Sequence, residues 1–387
     1  MSRPRVVVLG IMTKMPVPGV VWQNLHYLLG FERLGYEAWY VEAHGINPQY
    51  FQRDQHDLGS RRAAAFVDAS LRPYGFGDRW AYHALHDDGA VLGMGADRLR
   101  ELYRGADLII NLHGGTRPLP EHAETGRLVY LETDPVRLQI ELHDNLQATI
   151  DHLEPHVAFF TFGERYGQHG CGLPVSDRFH FLPTRQPVVM DCWDGLGPPG
   201  TTFTTVGSYR QHGRNVSFND EQYYWTKHRE WGSVLRLPAR SGQQFELALS
   251  RAQRADVERL AQHGWTVHDA AVVAGTPADY QRFIAGSLAE FTVAKDQNVR
   301  LCTGWFSDRS ASYLAAGRPV ITQDTGFGAH LPVGEGLLAW RDADEAQAAV
   351  DEVLADPVRH GRAAAEIARE YFDAERVLKQ LVAEVGP

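Results

Sequence analysis

Short apolar runs alternate along this chain with stretches whose apolar residues recur at helical spacing, and the alternation occurs twice. Strands separated by helices predict parallel sheets with helices packed on both faces. In the first series the strands are expected at 5–10, 37–42, 107–113, 127–133 and 157–162. Helices are expected at 19–34, near 60–70 and at 97–104. Residues 184–200 then concentrate Pro and Gly, the composition of a linker. A second series follows, with strands at 201–208, 265–270, 290–294 and 319–323. Its helices are placed at 219–232, 254–263, 277–286 and 308–316, and three more close the chain at 343–354, 359–371 and 374–385. The reading is an α/β chain of two doubly wound, Rossmann-like domains facing a cleft. Residues 1–190 form the first, 191–370 the second, and 371–387 are a helix crossing back to the first. Ligands of such sheets bind at the carboxyl ends of the strands.

Composition narrows the function. A net charge of −10, with no basic block, argues against a nucleic-acid partner. No apolar run is long enough to span a bilayer, and no basic amphipathic face suggests tight membrane attachment. The apolar run near the N-terminus is too short for a secretory signal, and Cys171, Cys192 and Cys302 are isolated, so a cytoplasmic location without disulfides or zinc is expected. The first strand–helix turn, from Gly10 to Gly19, lacks GxGxxG, which counts against a nicotinamide or flavin enzyme. Only four lysines occur, Lys14, Lys227, Lys295 and Lys379, against 34 arginines. A lysine kept under that bias can serve where a compact point charge is needed.

The strongest local pattern runs from Cys302 to Gly328, CTGWFSDRSASYLAAGRPVITQDTGFG. It reads as a loop, a helix, a Gly-Arg-Pro turn, a buried strand and a Gly-rich turn. A helix opening at Ser307-Asp308 presents unpaired backbone N–H groups and a positive dipole end, a place for a diphosphate. Arg309 in that first turn is unfavourable by helix-dipole logic. An anionic ligand near Arg309 and Ser310 would remove the conflict, and so would a partner such as Asp308. The run Gly304–Val320, ending Ala315-Ala-Gly-Arg-Pro-Val-Ile321, resembles the donor-site segment of GT-B glycosyltransferases, and Asp324-Thr-Gly326 resembles the turn that follows it there.

The resemblance implies a GT-B fold and transfer of a sugar from a nucleoside-diphosphate sugar to a small-molecule, natural-product or glycan acceptor. It implies no essential metal and no cofactor beyond the co-substrate. The large retaining branch carries two glutamates across this segment, where this chain has Gly304 and Ser312. Asp308 is the nearest carboxylate for a ribose hydroxyl, and the Asp-Arg pair is closer to a spore-coat-like subgroup. Retention and inversion both stay open. The end of the strand at 201–208, with Gly207, Ser208 and Arg210, resembles the place where donor phosphates are gripped, with Arg214 and Lys227 following. Lys295, after the strand at 290–294, is a further donor-side cation, and His268 occupies the place where the base is bound. Each of these cations can also be a plain surface or helix charge.

In the first half, Gly19, Gln23 and His26 lie at the turn that would face the acceptor, although His26 can equally be a satisfied helix histidine. His113 ends a strand before Gly114-Gly115, which permit close backbone approach. His113 and Asp134 are the candidate catalytic acid–base groups. Asp134-Pro135 also reads as a helix cap with Pro at the first position. Glu164 is a weaker candidate. Two other readings share the architecture: a non-catalytic nucleotide-sugar-binding relative and a sugar-nucleotide 2-epimerase.

Overall fold

The computed structural model describes residues 3–54 and 57–386. The first sheet holds β1 (Arg5–Leu9), β2 (Glu37–Glu42), β3 (Trp80–His83), β4 (Val91–Gly93), β5 (Leu108–Leu112), β6 (Leu128–Glu132), β7 (Ala158–Thr161) and β8 (Phe181–Pro183). The order is β4-β3-β2-β1-β5-β6-β7-β8, and only the β3–β4 pair is antiparallel. β1 is apolar because it is central. Its neighbours are β2 and β5, helices cover both faces, and Val6 through Leu9 are fully buried.

The second series gives β9 (Phe203–Ser208), a hairpin of β10 (Val216–Phe218) and β11 (Glu221–Tyr223), then β12 (Phe245–Ser250), β13 (Trp265–Asp269), β14 (Ala289–Thr292), β15 (Val320–Gln323) and β16 (Leu337–Trp340). Its six-stranded sheet, β13-β12-β9-β14-β15-β16, is parallel throughout. In each sheet the strand order reverses beside the first strand, between β1 and β5 and between β9 and β14. Those two switch points are where an open α/β sheet offers a crevice.

One expectation fails locally. The helix expected at 219–232 is the β10–β11 hairpin followed by irregular chain and a short 3-10 turn at Glu230–Gly232. Asn219 and Asp220 take φ of 50° and 59°, the left-handed pair a tight hairpin turn requires. The hairpin reaches the other domain: Val216, Phe218 and Tyr223 pack with Val136, Ile140, Leu173 and Leu301.

The helix Pro18–Arg33 starts with Pro in its first turn and stops before Gly35, whose φ of 87° reverses the chain. It is buried from Val21 to Leu28 because it packs on elements of both halves. Trp22 donates its indole N–H to the Pro277 carbonyl at 2.9 Å. The helix Ala374–Val385 lies against it, close enough that a Cβ on Gly30 would stand 2.6 Å from Leu378 Cδ1 and 3.0 Å from Ala374 Cβ. The two chain crossings between the sheets meet where Val188 bridges to Asp373 in parallel. Gly30→Phe should therefore lower unfolding free energy by about 2 kcal/mol, overpacking outweighing the gain in helix propensity, as read from the urea midpoint.

Candidate functional site

The helix Asp308–Ala315 begins beyond β14, with Ser307 extended at its N-cap and making no side-chain cap. The N–H groups of Asp308 and Arg309 at its start bond the Asp308 carboxyl. The Arg309 guanidinium turns back under the sheet, ion-paired with Glu290 of β14, and donates to Thr292 Oγ1 at 3.0 Å and the Val206 carbonyl at 3.1 Å. The charge that looked unfavourable in the sequence is balanced by Glu290 in the core, so Arg309 is not a free phosphate ligand. It still shapes the site, because a Cβ on Gly207 would lie 3.3 Å from its Nη1.

Three more expected donor contacts are committed elsewhere. Arg210 forms a two-pronged ion pair with Asp256, at 2.6 and 2.7 Å, that ties β9 to the start of the helix Arg254–Gln262. His268 sits at the end of edge strand β13, about one-third exposed, with Nε2 3.4 Å from Glu246 Oε2. Ser208 Oγ pairs with Ser250 Oγ at 2.9 Å.

Lys227 behaves differently. It is 8% exposed, and its ammonium has no hydrogen-bond or ion-pair partner among the described residues. Burial drives its pKa well below the usual lysine range, Arg309 and Lys295 add to this, and Glu290 and Asp308 oppose it. Asp308 is pushed up by burial, with Arg309 opposing. Ser310 Oγ is buried without a partner. The Lys227 side chain thus lies close to the start of the helix Asp308–Ala315, with its charge balanced only at longer range.

Across the crevice, Asp134 follows β6. Its Oδ2 meets Lys295 Nζ at 2.7 Å, accepts from Trp225 Nε1 and lies 3.6 Å from Arg214 Nη1. Burial works against this carboxylate, but Lys295 and Arg214 hold it below the ordinary aspartate range. The Lys295 ammonium also lies 4.5 Å from the Trp225 ring centre and 5.8 Å from that of Trp305. The turn that presents Asp134 is strained, with Val136 at φ 148° and fully buried. Asp134 is thus neither a helix cap nor a free base. It joins the two domains and keeps Oδ1 buried without a partner.

His113 ends β5 in the left-handed region, φ 65°. Nδ1 shares a 2.8 Å hydrogen bond with Thr133 Oγ1, and Nε2 is buried and unpartnered. Burial, Arg214 and Lys14 lower its pKa to about 3 against the pull of Asp134, so the ring is neutral at ordinary pH. Gly114 is required at φ 58°, where a side chain would also strike Tyr130. Lys14, from the loop after β1, donates to the Gly115 carbonyl at 2.6 Å and is lowered to about 8, mainly by burial. It belongs to this group although no motif singled it out.

The acceptor-side expectations on the first helix divide. Gly19 lies at the helix start facing Tyr280 of the other domain, its Cβ position 3.5 Å from the hydroxyl. Gln23 is buried. His26 is a core histidine: Nδ1 accepts from the Val189 N–H at 3.1 Å, the ring packs on Trp22 and Trp193, and burial lowers its pKa to about 3. It anchors the linker and is not available to an acceptor.

The glycine that replaces the retaining branch's first glutamate has a structural cause. Gly304 has φ 75°, and a Cβ there would lie 2.8 Å from Arg165. Arg165 comes from the first domain, donates its backbone N–H to Thr303 O at 3.1 Å, and sends Nη1 to Cys302 Sγ at 2.6 Å. Gly326 leaves room for the same guanidinium, 2.7 Å from its Cβ position. The Gly304–Gly326 loop therefore houses an arginine of the opposite domain where a glutamate would stand.

Arg309→Ala should destabilise the fold by about 3–5 kcal/mol, because Glu290 is left charged and buried. Replacing the pair by Met and Gln should recover most of that loss, as measured by urea unfolding.

No protein-family model matches the sequence, and no curated protein sequence matches it. Solved structures do match in shape. AviGT4, a glycosyltransferase involved in avilamycin A biosynthesis, aligns over 99% of this chain and 97% of its own, with TM-score 0.53 and 12% identity. HepE of Anabaena in complex with UDP and glucose aligns over 99% of both chains, with TM-score 0.54 and 12% identity. An α-glucosyltransferase in complex with UDP and a mismatched DNA aligns over 100% of both, with TM-score 0.57 and 11% identity. The chain has the GT-B fold that these glycosyltransferases share: two Rossmann-like domains whose switch points face one another.

Proposed function

We propose that the protein transfers a sugar from a nucleoside-diphosphate sugar to an acceptor hydroxyl or amine. The observation that carries this is the set of buried polar atoms left without partners around the crevice: Ser310 Oγ, His113 Nε2 and Asp134 Oδ1, together with the unpaired ammonium of Lys227. Buried polar groups are normally satisfied, so such a set from both domains marks space for a polar ligand. The second-domain side is cationic and carries a helix N-terminus, which suits a diphosphate. The first-domain side supplies a neutral imidazole and a carboxylate, which suit sugar hydroxyls.

When the glycosidic bond to phosphate breaks, negative charge builds on the departing diphosphate. Lys227, backed by the positive end of the helix Asp308–Ala315, would meet that charge, and the low-dielectric setting would strengthen the attraction. This part of the reaction needs no metal or organic cofactor. The two first-domain candidates are weak proton acceptors. His113 has its conjugate acid at about 3, and Asp134 is held ionised by Lys295 and Arg214. That is compatible with the leaving phosphate oxygen taking the acceptor's proton. His113 then hydrogen-bonds the sugar rather than acting as the base.

Thermal-shift measurement against UDP, GDP, TDP and ADP sugars, followed by release of free nucleoside diphosphate, tests the reading. Lys227→Ala should leave the fold intact or slightly stabilised, since it removes a desolvated charge, and should weaken nucleotide binding at least about tenfold, the scale of one charge-assisted contact. Equal binding by the variant would remove the donor site from this crevice. Binding without turnover would support the non-catalytic reading. Lys14 predicts a pH limb: held at about 8, it is charged below that pH and loses its charge above it. Activity limited by Lys14 should therefore decline through pH 8, and Lys14→Arg should move the decline upward in a pH–rate profile.

A further inference from the structure

The three cysteines are far apart in the sequence, and the fold brings two of them to one point between the domains. Cys171 lies between β7 and β8 of the first sheet, and Cys302 follows the helix Asp296–Arg300 of the second domain. Two backbone hydrogen bonds hold the chain around one to the chain around the other. The Arg165 N–H donates to the Thr303 carbonyl at 3.1 Å, and the Gly172 N–H donates to the Leu301 carbonyl at 2.8 Å. Residue numbers rise on one side as they fall on the other, so the segments run antiparallel. A Cβ on Gly172 would lie 3.4 Å from Leu301 Cα, which puts those two residues on the same side of their hydrogen bond. On its other side stand Cys171, which precedes Gly172, and Cys302, which follows Leu301. Facing pairs in antiparallel chain have Cα atoms about 4.5–5.5 Å apart, inside the roughly 4.4–6.8 Å that a disulfide spans.

The pair also shares a cation. Arg165 donates from Nη1 to Cys302 Sγ and from Nη2 to the His169 carbonyl, both at 2.6 Å, so its guanidinium reaches from Cys302 to the turn that carries Cys171. A positive charge beside a thiol favours the thiolate, which is the reactive form. Burial raises the Cys171 thiol, the Leu173 N–H and Arg165 oppose this, and Cys302 adds to it. Both cysteines are half-buried, within reach of a small oxidant. Cys192 is the contrast within the same chain: it sits in the linker, where burial lifts its thiol to about 11.

We propose that Cys171 and Cys302 form a peroxide-sensitive dithiol whose disulfide latches the first domain to the second. The Cys302 thiolate attacks the O–O bond of a peroxide, giving a sulfenic acid and releasing hydroxide. The Cys171 thiolate then attacks that sulfur. The S–S bond forms, the S–O bond breaks and a second hydroxide leaves. The two sulfurs give up two electrons to the peroxide, and the two thiol protons end in two waters. A thiol reductant reverses the reaction by exchange. The latch would stand beside the Gly304–Gly326 loop, since a Cβ on Gly326 would lie 2.8 Å from Cys302 Sγ. It does not depend on the proposed transferase activity.

Hydrogen peroxide treatment of the full chain, then alkylation with N-ethylmaleimide and peptide mapping without reductant, tests the latch. Titratable thiols should fall from the three of the sequence to Cys192 alone, with the Cys171 and Cys302 peptides recovered as one cross-linked species from monomeric protein. Dithiothreitol should restore all of them. The oxidised protein should unfold at a midpoint a few degrees higher, because the cross-link closes a long loop of chain. Cys171→Ser and Cys302→Ser should each abolish the cross-link and the upward shift, and Cys192→Ser should keep both. Recovery of Cys171 and Cys302 as separate alkylated peptides, a cross-link through Cys192, sulfinic or sulfonic products alone, or disulfide-linked dimers alone would overturn the proposal. So would a Cys171–Cys302 cross-link that leaves the unfolding midpoint unchanged or lowers it.

Discussion

The contact between Asp134 and Lys295 joins residues 161 positions apart and belongs to both domains at once. A buried ammonium and a buried carboxylate each carry a large desolvation cost, which their mutual attraction offsets only when geometry and further hydrogen bonds are good. Here Trp225, Arg214 and the Trp305 ring complete the shell. The consequence is positional. Lys295 follows β14 at one switch point and Asp134 follows β6 in the facing sheet, so their pairing sets how the two crevices confront each other. The strained turn at Val136 and the hairpin that packs against it hold the same junction from behind.

Charge in the second domain is arranged on two levels. Arg309 and Glu290 neutralise each other below the crevice, and their pairing lets the helix Asp308–Ala315 begin with an arginine in its first turn. Lys227 makes no hydrogen bond or ion pair among the described residues, and Glu290 and Asp308 act on its charge only at longer range. The arginine is architecture, and the lysine is not tied into it. Arg210, which also looked like a phosphate ligand, shows the same division: it binds Asp256 and fastens a strand to a helix.

Much of the fold was legible because parallel sheets buried on both faces write themselves as separated apolar runs, as at Val6–Leu9 or Val320–Gln323. Some strands were missed: β3 and β4 form an edge with mixed polarity, and β12, although buried and parallel, falls in a stretch for which no element is expected from the sequence. The β10–β11 hairpin did leave a signal, Asn219-Asp220 between β-forming residues. The site was legible as far as position in the chain goes: Gly207, Lys295, His113 and Asp134 all follow or end the strands expected of them. What a side chain does after leaving its strand was not. His26 turns into the core, Arg309 turns under the sheet, and Arg165 crosses domains to fill the space at Gly304, because each is set by residues more than a dozen positions away.

The bridge between Val188 and Asp373 binds together the only two stretches of backbone that connect the sheets among the described residues. Two loose tethers would let the domains twist, slide and gape independently. Two tethers pinned side by side define a single axis, like the knuckle of a door. Any rotation of one sheet against the other would pivot close to that bridge, which would keep the two faces of the crevice in register.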